Sequence, residues 1–462
     1  MTLCHKRTGL HRLGAMGAFS LALSLTLSPV PSEAEDRLNP LSGAKPGKVV
    51  PRSQPTAPKP PQSVPAQLTL RDALSLTLAR NPKLAAVKRE IRARQGAVRQ
   101  AGLFPNPVLK VQSSNVGNPA LKSFDGPNTT LQLSQLILLG GKLAKGVRVA
   151  EWDRELAQWD YRAAYMNVAT GTVGAFIEVL KDQARLELAD RLVDLAQRVV
   201  DVVGAQVREG KTSPIQETRA RVSLGSVKID RRRIRQELES AKKQLAATWG
   251  STEPGFEKVL GKLDQVAPIP PRKALLQRVK QNPDLARWAS EIARRQAALD
   301  LAESRAIPDL TMRVGATQFH DAGETAVVAG LSLPLVLFDR NQGRIEETRQ
   351  RLTQAAQERL NAEVSVTTAL NTAYRRLAAA RAEVTTLKEE VLPGARSAFE
   401  AVQTGYRRGK FGLLDVLDTQ RTWFDARQRY LVALADYHQA VAEVERLVGE
   451  PLDAARSLEE SK

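Results

Sequence analysis

From Lys142 to Glu209 the chain runs without a proline, and apolar residues recur in steps of four and three: Phe176, Leu180, Ala184, Leu188, Leu192, Leu195, Val199 and Val202. That spacing keeps a narrow stripe on one side of a helix. At 1.5 Å per residue the run predicts a rod of roughly 100 Å, far beyond an ordinary globular helix. It ends at Arg208-Glu209-Gly210-Lys211, where glycine permits a left-handed turn. A second run of nearly equal length, Arg344 to Arg408, ends at Arg408-Gly409-Lys410. Two matched rods in one chain demand an architecture that uses both.

The rods belong to an internal duplication. Asn282-Pro283-Asp284-Leu285-Ala286 repeats Asn81-Pro82-Lys83-Leu84-Ala85 at an offset of 201, and Pro308-Asp309-Leu310 repeats Pro107-Val108-Leu109 at the same offset. Leu333 follows Leu133 by 200, and Gly409-Lys410 follow Gly210-Lys211 by 199. Landmarks so evenly spaced mark a repeat. In the first copy Thr69 and Asp72 cap a short helix that order begins with, Asn81-Pro82 breaks it, and a further helix runs from about Lys83 to Leu103. The period then changes to two: Leu109 and Val111 alternate with Lys110 and Gln112, and Leu131 and Leu133 with Gln132 and Ser134. Those are half-buried strands. The second copy supplies Leu310, Met312, Val314 and Ala316 against Thr311, Arg313, Gly315 and Thr317, then Ala329, Leu331, Leu333 and Leu335. A reverse helix from Pro214 to Thr248 returns from the first rod. At roughly 50 Å it would stack end to end on the roughly 35 Å helix that opens the next copy, matching one rod.

The divisions read 1–34 signal peptide, 35–66 proline-rich extended leader, 67–250 first repeat, 251–270 connector, 271–450 second repeat and 451–462 tail. The signal has a basic start (Lys6, Arg7, Arg12), an apolar stretch from Met16 to Leu27 and a small-x-small cleavage site at Ser32-Glu33-Ala34. Cys4, the only cysteine, would leave with it, so disulfides and thiolate metal sites are excluded from the mature chain. No later segment shows the eighteen or so uninterrupted apolar residues of a membrane helix. An exported chain of this kind is soluble or inserts through strands. The net charge of +18 would fall to +16 on losing three Lys/Arg and one Glu. Such a charge suits nucleic acid or anionic lipid, but export removes nucleic acid, and long helices carry large solvated Arg/Lys faces.

Four strands cannot close a barrel in lipid, where open edges are not tolerated. Copies must share one, and three chains give twelve strands and a ring of rods. The order helix, two strands, long helix, reverse helix, with Asn81-Pro82, the stretch SQLILLGGK from Ser134 to Lys142, and YRRGKFGLLDVLDTQR from Tyr406 to Arg421, resembles the TolC-type outer-membrane factors of tripartite efflux systems over about residues 67–450. The Gly-Gly-Lys after the second strand is closest to their CzcC-like heavy-metal branch. The resemblance implies a mainly α fold with a small β part. Long antiparallel helices form a trimeric α-barrel tunnel through the periplasm, joined to a 12-stranded outer-membrane β-barrel with four strands per chain. It implies a homotrimer in outer-membrane lipid of a Gram-negative cell, a periplasmic adaptor and an inner-membrane RND pump as partners, no cofactor, and passive conduction of cargo. The tips Gly210, Lys211, Gly409 and Lys410 would meet the adaptor, and the barrel strands would carry Leu109, Val111, Leu131, Leu133, Leu310, Met312, Val314, Leu331 and Leu333.

Asp415 and Asp418, three apart on the helix after the second tip, share one face. In a trimer six carboxylates would ring a narrowing tunnel and attract cations; the resemblance implies the same gate. The alternative is two acids favoured at a helix start. The first repeat has Gln216 and Arg219 there, so one tip per chain would supply the ring. The family's tips also lock through a tyrosine and an arginine. Tyr406 is present, but Phe411 stands in the arginine's place and Ile215-Gln216 replace the usual partners. His320 and His438 lie far apart and lack partners at ligand spacing, so no metal site is expected. No phosphate loop, nucleophile elbow or catalytic dyad appears, which points away from an enzyme. Heavy-metal cations such as cobalt, zinc, cadmium or nickel are the expected cargo, a multidrug or organic-compound channel the alternative, and a barrel-less periplasmic scaffold the rival that the four strands oppose.

Overall fold

The computed structural model describes residues 64–116, 120–450 and 452; the signal peptide, nearly all of the leader and most of the tail lie outside the described residues. In chain order the elements are β1 (Gln67–Thr69), α1 (Leu70–Arg80), α2 (Pro82–Ala101), β2 (Val108–Ser114), β3 (Asn128–Ile137), α3 (Lys142–Arg208), α4 (Pro214–Ala247), β4 (Lys258–Leu260), α5 (Arg272–Arg278), α6 (Pro283–Ser304), β5 (Leu310–Phe319), β6 (Glu324–Ser332), α7 (Gln342–Thr386), α8 (Leu392–Arg407) and α9 (Leu413–Val448). The first rod, α3, is a single helix of 67 residues.

The second rod is not uninterrupted. Between α7 and α8, Leu387–Val391 widen into a π-turn, in which the Leu392 N–H donates to the Leu387 carbonyl. Pro393 lies just beyond. A proline ring clashes with the carbonyl four residues back and offers no N–H to it, so the helix makes one wide turn and continues.

The Asn-Pro landmarks have a mechanism. Asn81 Oδ1 accepts from the Leu84 N–H at 2.9 Å, capping α2, while its Nδ2 donates to the Thr248 carbonyl at 2.7 Å. Asn282 caps α6 through the Asp284 N–H at 2.7 Å and donates to the Leu447 carbonyl at 2.8 Å. The end of α4 therefore abuts the start of α2, and the end of α9 abuts the start of α6. Stacking joins the two short helices of one repeat, where the lengths alone suggested α4 on the helix of the next copy. A positive φ at Gly250 (78°) turns the chain away at the joint, and its Cα lies so close that a Cβ would stand 3.0 Å from Pro82 Cγ.

The principal core gathers at the middle of the rods, where Phe176, Ile177, Val179 and Leu180 of α3 are buried with Leu245, Leu370, Leu377, Leu434 and Tyr437. Two three-residue strands invisible to periodicity close it. β1 pairs in parallel with β4, so the first strand lies at the start of the expected first repeat and the connector is partly a strand. Gln183 of α3 completes that strand's hydrogen bonding, accepting from the Val259 N–H at 2.8 Å and donating to its carbonyl at 3.1 Å. Nearby, Asp182 is buried and accepts from Arg185 (2.9 Å), which reaches on to Glu237 of α4 (2.8 Å). His438 is buried with Nε2 on the Leu263 carbonyl, a structural histidine.

A second cluster near the tips packs Ala196, Val200 and Val203 of α3 on Ala220 and Leu224 of α4 and Leu413 of α9. The single stripe expected on α3 gives way here: Val202 is 51% exposed and Val203 is buried. The helix has α4 on one side and α9 on the other, so its buried arc is wider than one stripe. α3 also holds an 18-residue window of mean hydropathy 1.2, enough by length and composition to cross a bilayer, although no such helix was expected. Alanine and valine spread around the helix raise that mean without an unbroken apolar run, and Phe176, Ile177, Val179 and Leu180 are packed in the core.

Candidate functional site

Three places carry the sequence-predicted residues: the sheet, its junction with the rods, and the tips. The sheet is four-stranded and antiparallel in the order β2-β3-β5-β6, so the two repeats meet at its centre. Register places Leu109 opposite Leu133, Leu133 opposite Val314, and Val314 opposite Ala329. Val111, Leu131, Ala316 and Val327 form the next row, and Met312 and Leu331 a third. Since side chains alternate, these residues form one largely apolar face, broken by Gln135 opposite Met312, with Leu310 and Ile137 at its base. The opposite face holds Lys110, Gln112, Gln132, Ser134, Arg313 and Thr317, with Val108, Leu136 and Val328 among them. Leu333 is a correction. It lies one residue past β6, and Leu335 further still, because Pro334 offers no N–H to a ladder.

At the junction, Gly140 (φ 68°) and Gly141 (φ 72°) turn the chain from β3 into α3. A Cβ on Gly140 would stand 2.8 Å from Ile307 Cδ1. The turn aims Lys142 at Asp309, the residue before β5, with Nζ 2.6 Å from Oδ1; the Leu139 N–H donates to the same oxygen at 3.0 Å. The Gly-Gly-Lys motif thus ties the exit of one repeat's strands to the entry of the other's. Asn341, also left-handed (φ 59°), takes the second repeat's turn and donates to the Ala302 carbonyl at 2.6 Å.

The two tips share one backbone design. At Gly210 (φ 70°) the Lys211 N–H donates to the Gln206 carbonyl at 2.9 Å and the Gly210 N–H to Val207 at 3.0 Å. At Gly409 (φ 70°) the Lys410 N–H donates to Gly405 at 2.8 Å and the Gly409 N–H to Tyr406 at 3.0 Å. Both are Schellman turns. Tyr406 does find a partner on the other tip. Its hydroxyl donates to Gln206 Oε1 at 3.1 Å, reaching α3 and not Ile215 or Gln216, and burial pushes its phenol up from the ordinary value. Phe411 lies against Gly405, where a Cβ would stand 2.3 Å from its ring.

The two aspartates separate. Asp415 accepts from the Gly412 N–H at 2.9 Å and so caps α9, as the helix-start alternative requires. Asp418 is exposed on the same side and makes no hydrogen bond or ion pair among the described residues; Arg421, one turn on, faces Asp425 at 3.7 Å. Sequence reasoning missed Gln206, Gly405 and Asp309. Only the repeat alignment could have found the first two, which occupy equivalent positions 199 apart.

An antiparallel sheet with one apolar face, set on rods of this length, defines a membrane channel subunit. The family model described as Outer membrane efflux protein matches residues 73–251 and again 275–450, and the chain belongs to that family. It is 36% identical over 389 residues to the cobalt-zinc-cadmium resistance protein CzcC of Cupriavidus metallidurans, covering 84% of this chain and 92% of that protein. It is 24% identical to the nickel-cobalt-cadmium resistance protein NccC of Alcaligenes xylosoxydans xylosoxydans, over 62% of this chain and 65% of that one. A crystal structure of a membrane protein from Pseudomonas aeruginosa superposes with a TM-score of 0.72 at 16% identity, covering 84% of this chain and 94% of that chain, a likeness of fold. The chain is therefore an outer-membrane efflux channel subunit, with its β part in the outer membrane.

Proposed function

We propose that three copies close a twelve-stranded barrel over a helical tunnel and passively conduct heavy-metal cations, handed on by a periplasmic adaptor from an inner-membrane RND pump. The observation that carries this reading is the pair of open sheet edges. With four strands alternating in direction, β2 and β6 run opposite ways, so β6 of one copy continues into β2 of the next as a regular antiparallel pair. Lipid does not tolerate unpaired edges, and an even-numbered antiparallel barrel satisfies every backbone group. The apolar face would then meet lipid and the polar face the lumen. The cargo rests on the names of the relatives, for cobalt-zinc-cadmium and nickel-cobalt-cadmium resistance.

Within this reading Asp415 and Asp418 line a threefold ring, Tyr406–Gln206 holds the hairpins together, and Gly210, Lys211, Gly409 and Lys410 turn the tips toward the adaptor. The second tip also exposes Arg407 and Arg408, which with Lys410 make no ion pair among the described residues and suit an acidic partner surface. A strain lacking this chain should lose tolerance to cobalt, zinc, cadmium or nickel salts and regain it with the gene. Unchanged metal tolerance with new sensitivity to organic compounds would move the cargo to the multidrug class.

A further inference from the structure

The polar face of the sheet carries a charge of unexpected sign. Of its residues on the four strands, only Lys110, Arg313 and Glu324 are charged. Lys110 pairs with Gln132, and Gln132 with Gly315, so Lys110 stands level with Gly315, two residues along β5 from Arg313. That separation is about 7 Å along the strands and about 10 Å across them, within reach of two long side chains. Arg313 lies between Ser134 and Gly330, and Lys110 faces Gln132. Small and neutral neighbours leave both cations exposed and without an acidic partner among the described residues.

The nearby acids do not cancel them. Asp309, below the sheet, is bound to Lys142 at 2.6 Å. Glu324 pairs with Phe319, six residues beyond Arg313. That is about 20 Å along the strand, more than twice the Debye length of about 8 Å at physiological salt.

We propose that Lys110 and Arg313 of three protomers form a sixfold cationic belt inside the barrel, a binding section for small multivalent anions. The inference rests on the closed-barrel reading. The belt opposes the aspartates of the tips in sign, so the two ends of one conduit sort ions differently. Metal cations would cross the barrel accompanied by counter-anions that the belt concentrates, and free anions would be drawn in from the outer side.

Side-specific block in planar bilayers tests this. Hexacyanoferrate(II) added on the barrel side should block the wild-type channel, and Lys110→Gln/Arg313→Gln should need at least tenfold more for the same block. The pair removes the charge and keeps the positions polar, so insertion should be normal. Lys110→Glu/Arg313→Glu should reverse the preference and admit block by hexaamminecobalt(III) from the barrel side. Normal wild-type conductance without hexacyanoferrate block, or equal block of wild type and Gln variant, would overturn the belt. Failure of the wild type to form conducting channels would overturn the barrel itself, and the belt with it.

Discussion

The two tips of this chain have the same backbone and different side chains. Each ends its rod with a left-handed glycine (φ 70° at both Gly210 and Gly409) and the same pair of Schellman hydrogen bonds. Position by position, however, Gln206 is answered by Gly405, Thr212 by Phe411, Ser213 by Gly412, Gln216 by Asp415 and Arg219 by Asp418. The first tip contributes an acceptor, Gln206, and the second contributes Tyr406, which binds it, together with the carboxylates. Turn geometry is under local steric control and survives duplication; the surface it presents is free to diverge. Each chain thus has two hairpins of different kinds, which in the proposed trimer would make six from one gene.

Exchanging residues between the tips breaks that comparison most severely at Gly405. Gly405→Gln, which copies the first tip into the second, must displace the Phe411 ring and should cost about 1–3 kcal/mol, as overpacking does. The reverse change, Gln206→Gly, should cost about 1 kcal/mol from helix entropy and the lost hydrogen bond. Hydrogen exchange at tip amides would rank the two; equal effects would remove the asymmetry.

Effects between these two follow at the turns. Gly210→Val and Gly409→Val should each cost about 1–2 kcal/mol, because positive φ opposes a branched side chain. No atom lies within 4 Å of either added Cβ, so the strain is purely backbone. Barrel insertion should be normal in both, while crosslinking to the proposed adaptor should fall further for Gly409→Val, whose turn carries three cations with no ion pair among the described residues. Equal crosslinking would deny the second tip a special role in docking. Smaller again, Tyr406→Phe should lose about 0.5–1.5 kcal/mol, and a double-mutant cycle with Gln206→Leu should recover that energy as coupling. Zero coupling would mean the two side chains merely lie close.

Much of this arrangement was legible in the residues. The glycine turns, the Asn-Pro helix breaks, the period-two strands and the duplication were all readable from local pattern. What escaped has non-local or subtle causes. β1 and β4 are three residues each and exist only because they pair across nearly 190 residues. The π-turn needed Pro393 to be weighed inside an otherwise regular rod, and Leu333 needed Pro334 to be read as a strand end. Tyr406 with Gln206, and Lys142 with Asp309, are contacts between repeats that spacing alone does not reveal. The stacking of α4 on α2 depended on which chain end Asn81 reaches, and lengths could not choose.

The aspartates offer the smallest expected change in stability and the largest in conduction. Asp415→Asn removes a helix-start charge, worth about 0.3–1 kcal/mol, whereas Asp418 has no hydrogen bond or ion pair among the described residues. In the proposed channel the second tip is an ion filter, held to the first through Tyr406 and Gln206. Block by hexaamminecobalt(III), added on the tip side of a planar bilayer, measures it in wild type and in Asp418→Asn. Strong block of the wild type is expected, with at least a tenfold weaker block of Asp418→Asn and unchanged insertion and thermal stability. Undiminished block in Asp418→Asn would contradict it and return both acids to the start of a helix.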